Sequence, residues 1–390
     1  MRVLMVTRES AEDRRYGLGR SLAPLLAPLA AAGAQVRYFS AEDLDAEAVT
    51  RRRERIARWE RWPMLSGRPN RINLLRAWSE RLHVGFAAAQ VAAHEGYSHV
   101  HAHDPWLACG VALGLRRHGA RGVRWGFTEH GFGSYSHATH EDGLEQGPAA
   151  QALLRRIERF AAQRARWVTA PTRSGLAQLA RDLGLPAVPE HWHCVPHARP
   201  PLRAPSADQR AAARASLGWA EDEVVVLAVG RLVPLKCFDR IVQACAAQQQ
   251  PRLRLQLLGG GDAAPLQALA QGLGFAGLHA TSTDDVTPYF HGADVYLSAS
   301  TTESFGLANL EALCAGLPAI CSAVGGVPEV MGDSAWLVPN DSATLTRTLA
   351  ALLADEPLRR QWAARALARA TAWPSPEEIA RRYVAIYQAA

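Results

Sequence analysis

Short apolar runs recur along the chain, and longer amphipathic or alanine-rich stretches lie between them. "RVLMVT" (2–7) predicts a first buried strand, and "SLAPLLAPLAAAGAQ" (21–35) the helix that follows it. "QVRYFS" (35–40) predicts a second strand, and strand-like runs return at "SHVHAH", "RWGFTEH" and "WVTAPT". "GFAAAQVAAHEG" and "ALLRRIERFAAQRARW" predict helices between them. Strands alternating with helices indicate parallel βαβ units. The texture changes at "PHARPPLRAPSAD", which is proline-rich and aperiodic, so residues 196–222 read as a linker. The alternation resumes at "EVVVLAVGR" and runs through "LRLQLLGGG", "DVYLSAS", "PAICSA" and "AWLVP". The prediction is two α/β domains, 1–195 and 223–372, with a closing segment 373–390. The pattern contains neither a 20–50-residue repeat nor a low-complexity segment.

At 390 residues and 48% hydrophobic, the chain is large enough for two such cores. The net charge of +6 suits an anionic ligand or membrane surface and is weak support for nucleic acid, so no nucleic-acid partner is expected. "MRVLMVT" is too short an apolar run for a signal peptide, and no stretch approaches the roughly 20 apolar residues of a membrane span. The six cysteines form no C-x-x-C pair and read as reduced, mostly buried thiols. A cytoplasmic protein is expected. Residues 51–82 stand apart, with ten arginines against three glutamates and Trp59, Trp62 and Trp78 among them. Such a segment is suited to lie on anionic lipid, on the inner face of a cell membrane. The alternative is a solvated helical face whose arginine stems cover apolar surface.

One lysine, Lys236, stands among 43 basic residues. It follows a predicted strand, Gly230 and Arg231 in "VVVLAVGRLVPLK". Glycine lets a bulky anion approach the backbone, arginine offers a planar fork to phosphate, and lysine offers a compact point charge. A chance survivor on a surface loop is the competing explanation. The G-x-x-x-x-G frame of a P-loop is missing, while a pyridoxal Schiff base would have only this lysine to use.

A second cluster lies in "STTESFGLANLEALCAGLPAICSAVGGVPEVM" (300–331). Glu303 ends a predicted strand-to-helix turn, and the helix runs towards Gly316 with Pro318 just beyond. The amides of Phe305, Gly306 and Leu307 would open that helix as an anion site, beside Ser304. Glu311 follows about two turns in. Two carboxylates flanking such a site suit a ligand with hydroxyls on both sides of a phosphate, as in a nucleotide sugar. A capping glutamate and a surface glutamate fit the same spacing.

These stretches resemble glycosyltransferase family 4. Residues 300–331 resemble its E-x7-E segment, and "AVGRLVPLKCFDRIV" its glycine–arginine–lysine element. "YGLGRSLAPLLAPLAAAGAQV", "HVHAHDP", "FTEHGF" and "WPSPEEIARRYVAIYQ" are similar to further family elements in the same order. The resemblance implies a GT-B fold: two Rossmann-like βαβ domains facing a cleft, the last helix crossing back to the N-terminal domain. It implies a retaining, metal-independent hexosyltransferase moving a sugar from a nucleoside-diphosphate sugar, UDP by default. The acceptor would be a saccharide or a bacterial glycolipid, lipopolysaccharide or exopolysaccharide intermediate. Arg231 and Lys236 would neutralise the diphosphate, Glu303 would hold the transferred sugar, and Glu311 would bind the ribose. Gly17 and Gly19 would let the first loop approach the phosphate, and His130 would face sugar or acceptor. The chain departs from the family where Cys237 replaces a glycine, "VPHARP" replaces an asparagine–glycine turn, "GLG" replaces a glycine pair, and "LLGGGD" takes the place of a G-D-G loop.

His99, His101 and His103 share one face of a strand and, with Asp104, offer a zinc or binuclear site, but the spacing of binuclear hydrolases is broken at Asp104–Pro105. The competing expectation is that His103 and Asp104 line a ligand cleft at the strand's end. "SHATHEDGLEQG" (136–147) reads as a polar loop. A nucleotide-sugar epimerase on the same fold, or a non-catalytic nucleotide-sugar-binding subunit of a glycan assembly complex, would share these motifs. A pyridoxal-dependent phosphorylase is the remaining alternative.

Overall fold

The computed structural model describes residues 1–8, 17–62, 68–141 and 147–390. The chain divides into two units, Met1–Ala198 with Ser375–Ala390, and Arg199–Pro374.

The first unit is built on a six-stranded parallel sheet: β1 (Arg2–Val6), β2 (Gln35–Phe39), β3 (His99–Ala102), β4 (Arg124–Thr128), β5 (Val168–Ala170) and β6 (Trp192–Cys194). Their order is β2-β1-β3-β4-β5-β6. Strand β1 is apolar along its length because both faces are covered. Leu4 and Val6 join one apolar cluster, with Val84, Val100 and Leu107; Val3 and Met5 join the other, with Leu25, Leu29 and Trp167. The closing helix, Pro376–Ala389, belongs to this second cluster and buries Ile379, Tyr383 and Tyr387. A capping box between Ser375 and Glu378 starts it.

The second unit holds β7 (Val224–Val229), β8 (Leu253–Leu258), β9 (Leu278–Thr281), β10 (Val295–Ser298), β11 (Ala319–Ser322) and β12 (Trp336–Val338). Their order is β12-β11-β10-β7-β8-β9, again all parallel. Val225 and Leu227 face one cluster, Val226 and Ala228 the other. From the β7–β10 pair the order runs outward in both directions, so the loops after these two strands flank the topological switch point, where doubly wound sheets bind ligands.

Three expectations are corrected. Residues 196–222 are no aperiodic linker: Ala207–Leu217 is a helix, opened by a Ser206–Gln209 capping box. Arg210 and Arg214 tie it to Asp294 at 2.6 and 3.3 Å, so it is part of the second unit. The predicted polar loop at 136–147 begins as a helix, Tyr135–Glu141, because Ser136 and Thr139 turn inward. Residues 142–146 of that stretch lie outside the described residues. The basic segment is two helices, Ala46–Glu60 and Pro69–His94, and Arg81 leaves its exposed face. Arg81 is buried, pairs with Asp104 at 2.6 Å and donates to the Tyr135 hydroxyl.

Candidate functional site

Lys236 lies in the loop after β7 and Glu303 in the loop after β10, on either side of the switch point. The Lys236 ammonium donates to Glu303 Oε2 at 2.5 Å, both side chains being mostly shielded from solvent. The two loops are tied by Thr301 N–H, which donates to the Leu235 carbonyl at 2.9 Å. Arg231 stands exposed on the same loop as Lys236.

Backbone geometry explains the glycines here. A Cβ on Gly259 would lie 1.9 Å from the Gly230 carbonyl oxygen, and Gly259 has φ +154°. The loops after β7 and β8 therefore touch backbone to backbone, and Leu232 N–H donates to the Gly260 carbonyl at 2.8 Å. Gly306 has φ +78° and precedes the helix Leu307–Cys314. A Cβ there would lie 2.5 Å from Asn309 Nδ2, an amide whose Oδ1 accepts from the Tyr296 hydroxyl. The turn places Glu303, Ser304 and Phe305 ahead of the helix, with Phe305 buried. Glu311 sits inside the same helix and is 5% exposed. Helix start, lysine and two carboxylates thus come from loops and helices of one unit. Asn309, Thr301 and Gly259 support them and were not singled out from sequence. Thr301 and Gly259 meet the loop after β7, far along the chain, and Asn309 meets Tyr296 on β10, so the sequence pattern did not mark them.

Gly17, Gly19 and His130 lie in the other unit. Gly17–Leu22 is a short helix, and residues 9–16 before it lie outside the described residues. His130 follows β4, and its Nε2 is 3.0 Å from His103 Nδ1. Its ring runs parallel to His197, centroids 5.8 Å apart and planes 3° apart. His101 continues the row, 4.5 Å from His103 and 17° off parallel. Burial, then the neighbouring imidazoles, hold His103 and His130 well below the usual histidine range. Burial likewise lowers His101 to about 3 and His197 to about 4.

The strand histidines are committed to structure. His99 Nε2 meets the Tyr387 carbonyl at 2.9 Å, and His101 lies between the Tyr387 hydroxyl (2.7 Å) and Thr128 Oγ1 (2.8 Å). They tie β3 to the closing helix. Asp104 caps the helix Pro105–Arg117 through Trp106 and Leu107 N–H and is paired with Arg81, so its carboxylate is fully engaged where a cleft-lining role was expected. Among the described residues, no three His, Cys, Asp or Glu side chains group to hold a metal ion.

A family model described as "Glycosyl transferases group 1" matches residues 209–369, and one described as "Glycosyl transferase 4-like domain" matches residues 16–196. D-inositol 3-phosphate glycosyltransferase of Streptomyces avermitilis is 37% identical over 182 residues, 42% of this chain and 39% of that protein. The chain spans about two fifths of the length of the curated relatives it matches. Sucrose-phosphate synthase of Thermosynechococcus elongatus has the same fold, with TM-score 0.76 and 22% identity over 99% of this chain and 98% of that one. HepE of Anabaena, solved with UDP-glucose, gives TM-score 0.73 and 18% identity over 99% and 98%. The fold is GT-B.

Proposed function

The chain belongs to the group 1 glycosyltransferases with a glycosyltransferase 4-like N-terminal half, and on that premise we propose that it moves a sugar, with retention, from a nucleoside-diphosphate sugar to a hydroxyl acceptor. The observation that carries this reading is the Lys236–Glu303 pair beside the start of the helix Leu307–Cys314, at the switch point of the second sheet.

Transfer needs a leaving diphosphate whose developing charge is stabilised. Lys236 supplies a point charge, Arg231 a planar fork, and the amides of 305–307 the positive end of a helix dipole. A half-buried ion pair is a strong restraint, because removing one partner strands the other. Donor binding replaces partners rather than removing them: phosphate oxygens take Lys236, and Glu303 turns to the hydroxyls of the transferred sugar. Glu311 binds the ribose, with Ser304 and Gly306 beside the diphosphate. For Gly17 and Gly19 the proposed role is the phosphate contact that the family resemblance implies, and for His130 the sugar or acceptor contact. The acceptor hydroxyl attacks from the leaving-group side and its proton passes to the departing phosphate oxygen. UDP-glucose is the donor with which HepE was solved, and UDP is the base proposed here. A glycolipid or polysaccharide intermediate is the proposed acceptor, because the arginine-rich helix Ala46–Glu60 with its Trp59, and Trp62 just beyond it, suit an anionic membrane surface.

The test is a thermal-shift panel of UDP, GDP, ADP and dTDP sugars on wild type and Lys236→Ala. Ligand at about a hundredfold over its Kd adds about 2.7 kcal/mol of stability. A shift with one base, diminished in the variant, is expected. No shift with any nucleotide overturns the reading. Donor turnover without acceptor would assign an epimerase, and binding without any turnover a non-catalytic subunit.

A further inference from the structure

We propose that His103 is a positioning residue for His130, fixing its proton on Nδ1 so that His130 presents a neutral N–H donor to the substrate, with His197 holding the ring plane. The inference rests on the reading that His130 meets sugar or acceptor.

The argument is a proton count. An imidazole–imidazole hydrogen bond needs one protonated and one bare nitrogen, and each neutral ring carries one proton. His103 Nδ1 and His130 Nε2 are 3.0 Å apart. The other nitrogen of His103, Nε2, is buried and has no hydrogen-bond partner among the described residues. If His130 donated, the His103 proton would sit on that Nε2 as a buried donor with no acceptor. If His103 donates, its proton lies in the bond and only a bare lone pair is orphaned. Buried orphan N–H groups are the rarer of the two in proteins. His103 therefore donates, His130 accepts at Nε2, and the His130 proton is on Nδ1. The hydrogen bond at one nitrogen sets the state of the other.

The surroundings keep both rings neutral. The titratable neighbours are His101, 4.5 Å from His103, and His197, parallel to His130 at 5.8 Å. Of the nearby carboxylates, Asp104 pairs with Arg81, and Glu129 accepts from Gly131 N–H at 2.9 Å through Oε1 alone, its Oε2 having no partner among the described residues; burial raises Glu129 towards its neutral acid form. His197 stands in the "VPHARP" stretch where this chain departs from the family's asparagine–glycine turn, so the parallel ring on His130 is a feature of this sequence.

Nitrogen-15 NMR of the imidazoles in the ligand-free wild-type protein reads the tautomer directly. A single His130 species with a protonated Nδ1 is expected; a protonated Nε2 or an average of both overturns the proposal. In His103→Leu the His130 signal becomes an average and kcat falls about tenfold, the worth of one lost hydrogen bond. His103→Asn, whose amide stands near the Nδ1 position, restores kcat to within about threefold. His197→Phe keeps the ring plane and kcat, whereas His197→Ala loses both. Unchanged tautomer and kcat in His103→Leu also overturn the proposal. If that variant does not fold, the wild-type spectrum and His103→Asn still decide it. His130→Ala with wild-type turnover would instead defeat the substrate-facing role of His130, and absence of any sugar transfer by the wild-type protein would count against the transferase reading, while the tautomer result stands on its own.

Discussion

Cys237 has φ +47° and ψ +44°, a left-handed backbone that side chains with a Cβ rarely adopt. It adjoins Lys236 and opens the helix Phe238–Ala246, at a position where the family resemblance places glycine. The turn, rather than the side chain, is what the loop needs. A β-branched residue there is the worst case: Cys237→Val is expected to lose about 1–3 kcal/mol in denaturant melts, and Cys237→Gly much less. Equal losses would show that the thiol's packing, not the backbone, matters. Lys236 poses the companion question of charge shape. Lys236→Arg keeps the charge but replaces a compact ammonium with a planar fork, so it is expected to leave the fold intact and lower kcat by more than about tenfold. Wild-type turnover in that variant would make the single lysine an accident of composition.

At the scale of elements, the site depends on loops meeting backbone to backbone. Gly259→Ala would drive a methyl into the Gly230 carbonyl, 1.9 Å away. The loops after β7 and β8 would have to part, carrying Arg231 and Lys236 with them. The expected result is a loss of about 1–3 kcal/mol of stability together with weakened nucleotide binding. Gly272→Ala, a helical site with open space around it, is the control and should change neither. A Gly259→Ala protein that binds nucleotide normally would show that the loop contact is dispensable.

Two predictions belong to the whole molecule. The first unit buries groups whose titration opposes folding from both sides. His99, His101, His103, His130 and His197 are all lowered, first by burial, so the folded state refuses protons that the unfolded chain accepts below about pH 6.5. Stability from these groups is present above that pH and is lost as pH falls. Glu129 is pushed up to about 8, again first by burial, and Glu158 is raised in the same direction. Their contribution has the opposite sign: it is present below the usual carboxylate range and is lost as pH rises towards 8. Glu129→Gln removes that titration, so its Tm should fall less than that of wild type between pH 5 and pH 9. Parallel pH profiles would place the ionisation elsewhere. The second prediction concerns the outer surface. Arg55, Arg58, Trp59 and Trp62 line a depression of about 450 Å³, and Trp62 is 58% exposed. No helix among the described residues is long and apolar enough to cross a membrane. Binding to vesicles with anionic headgroups is expected at low salt, weakening as salt screens the arginines, and Trp62→Ala should reduce it. Absence of binding at low salt would return the segment to a solvated face.

The alternation of apolar runs and helices determined the two parallel sheets, because a strand covered on both faces must be apolar along its length, as β1 and β7 are. The E-x7-E spacing marked the Glu303 turn and the helix after it for a local reason: the turn and the helix start lie within a few residues of one another. The helix at 207–217 was hidden by the prolines before it. Arg81 was hidden among surface arginines, because only packing reveals that it reaches Asp104 and Tyr135. Tertiary structure alone joined Lys236 to Glu303 across 67 residues and brought His130 and His197 into a row with the neighbouring pair His101 and His103. Periodicity reports which face of an element is buried. Which side chain it meets there depends on strand order, and strand order is decided when the whole sheet assembles.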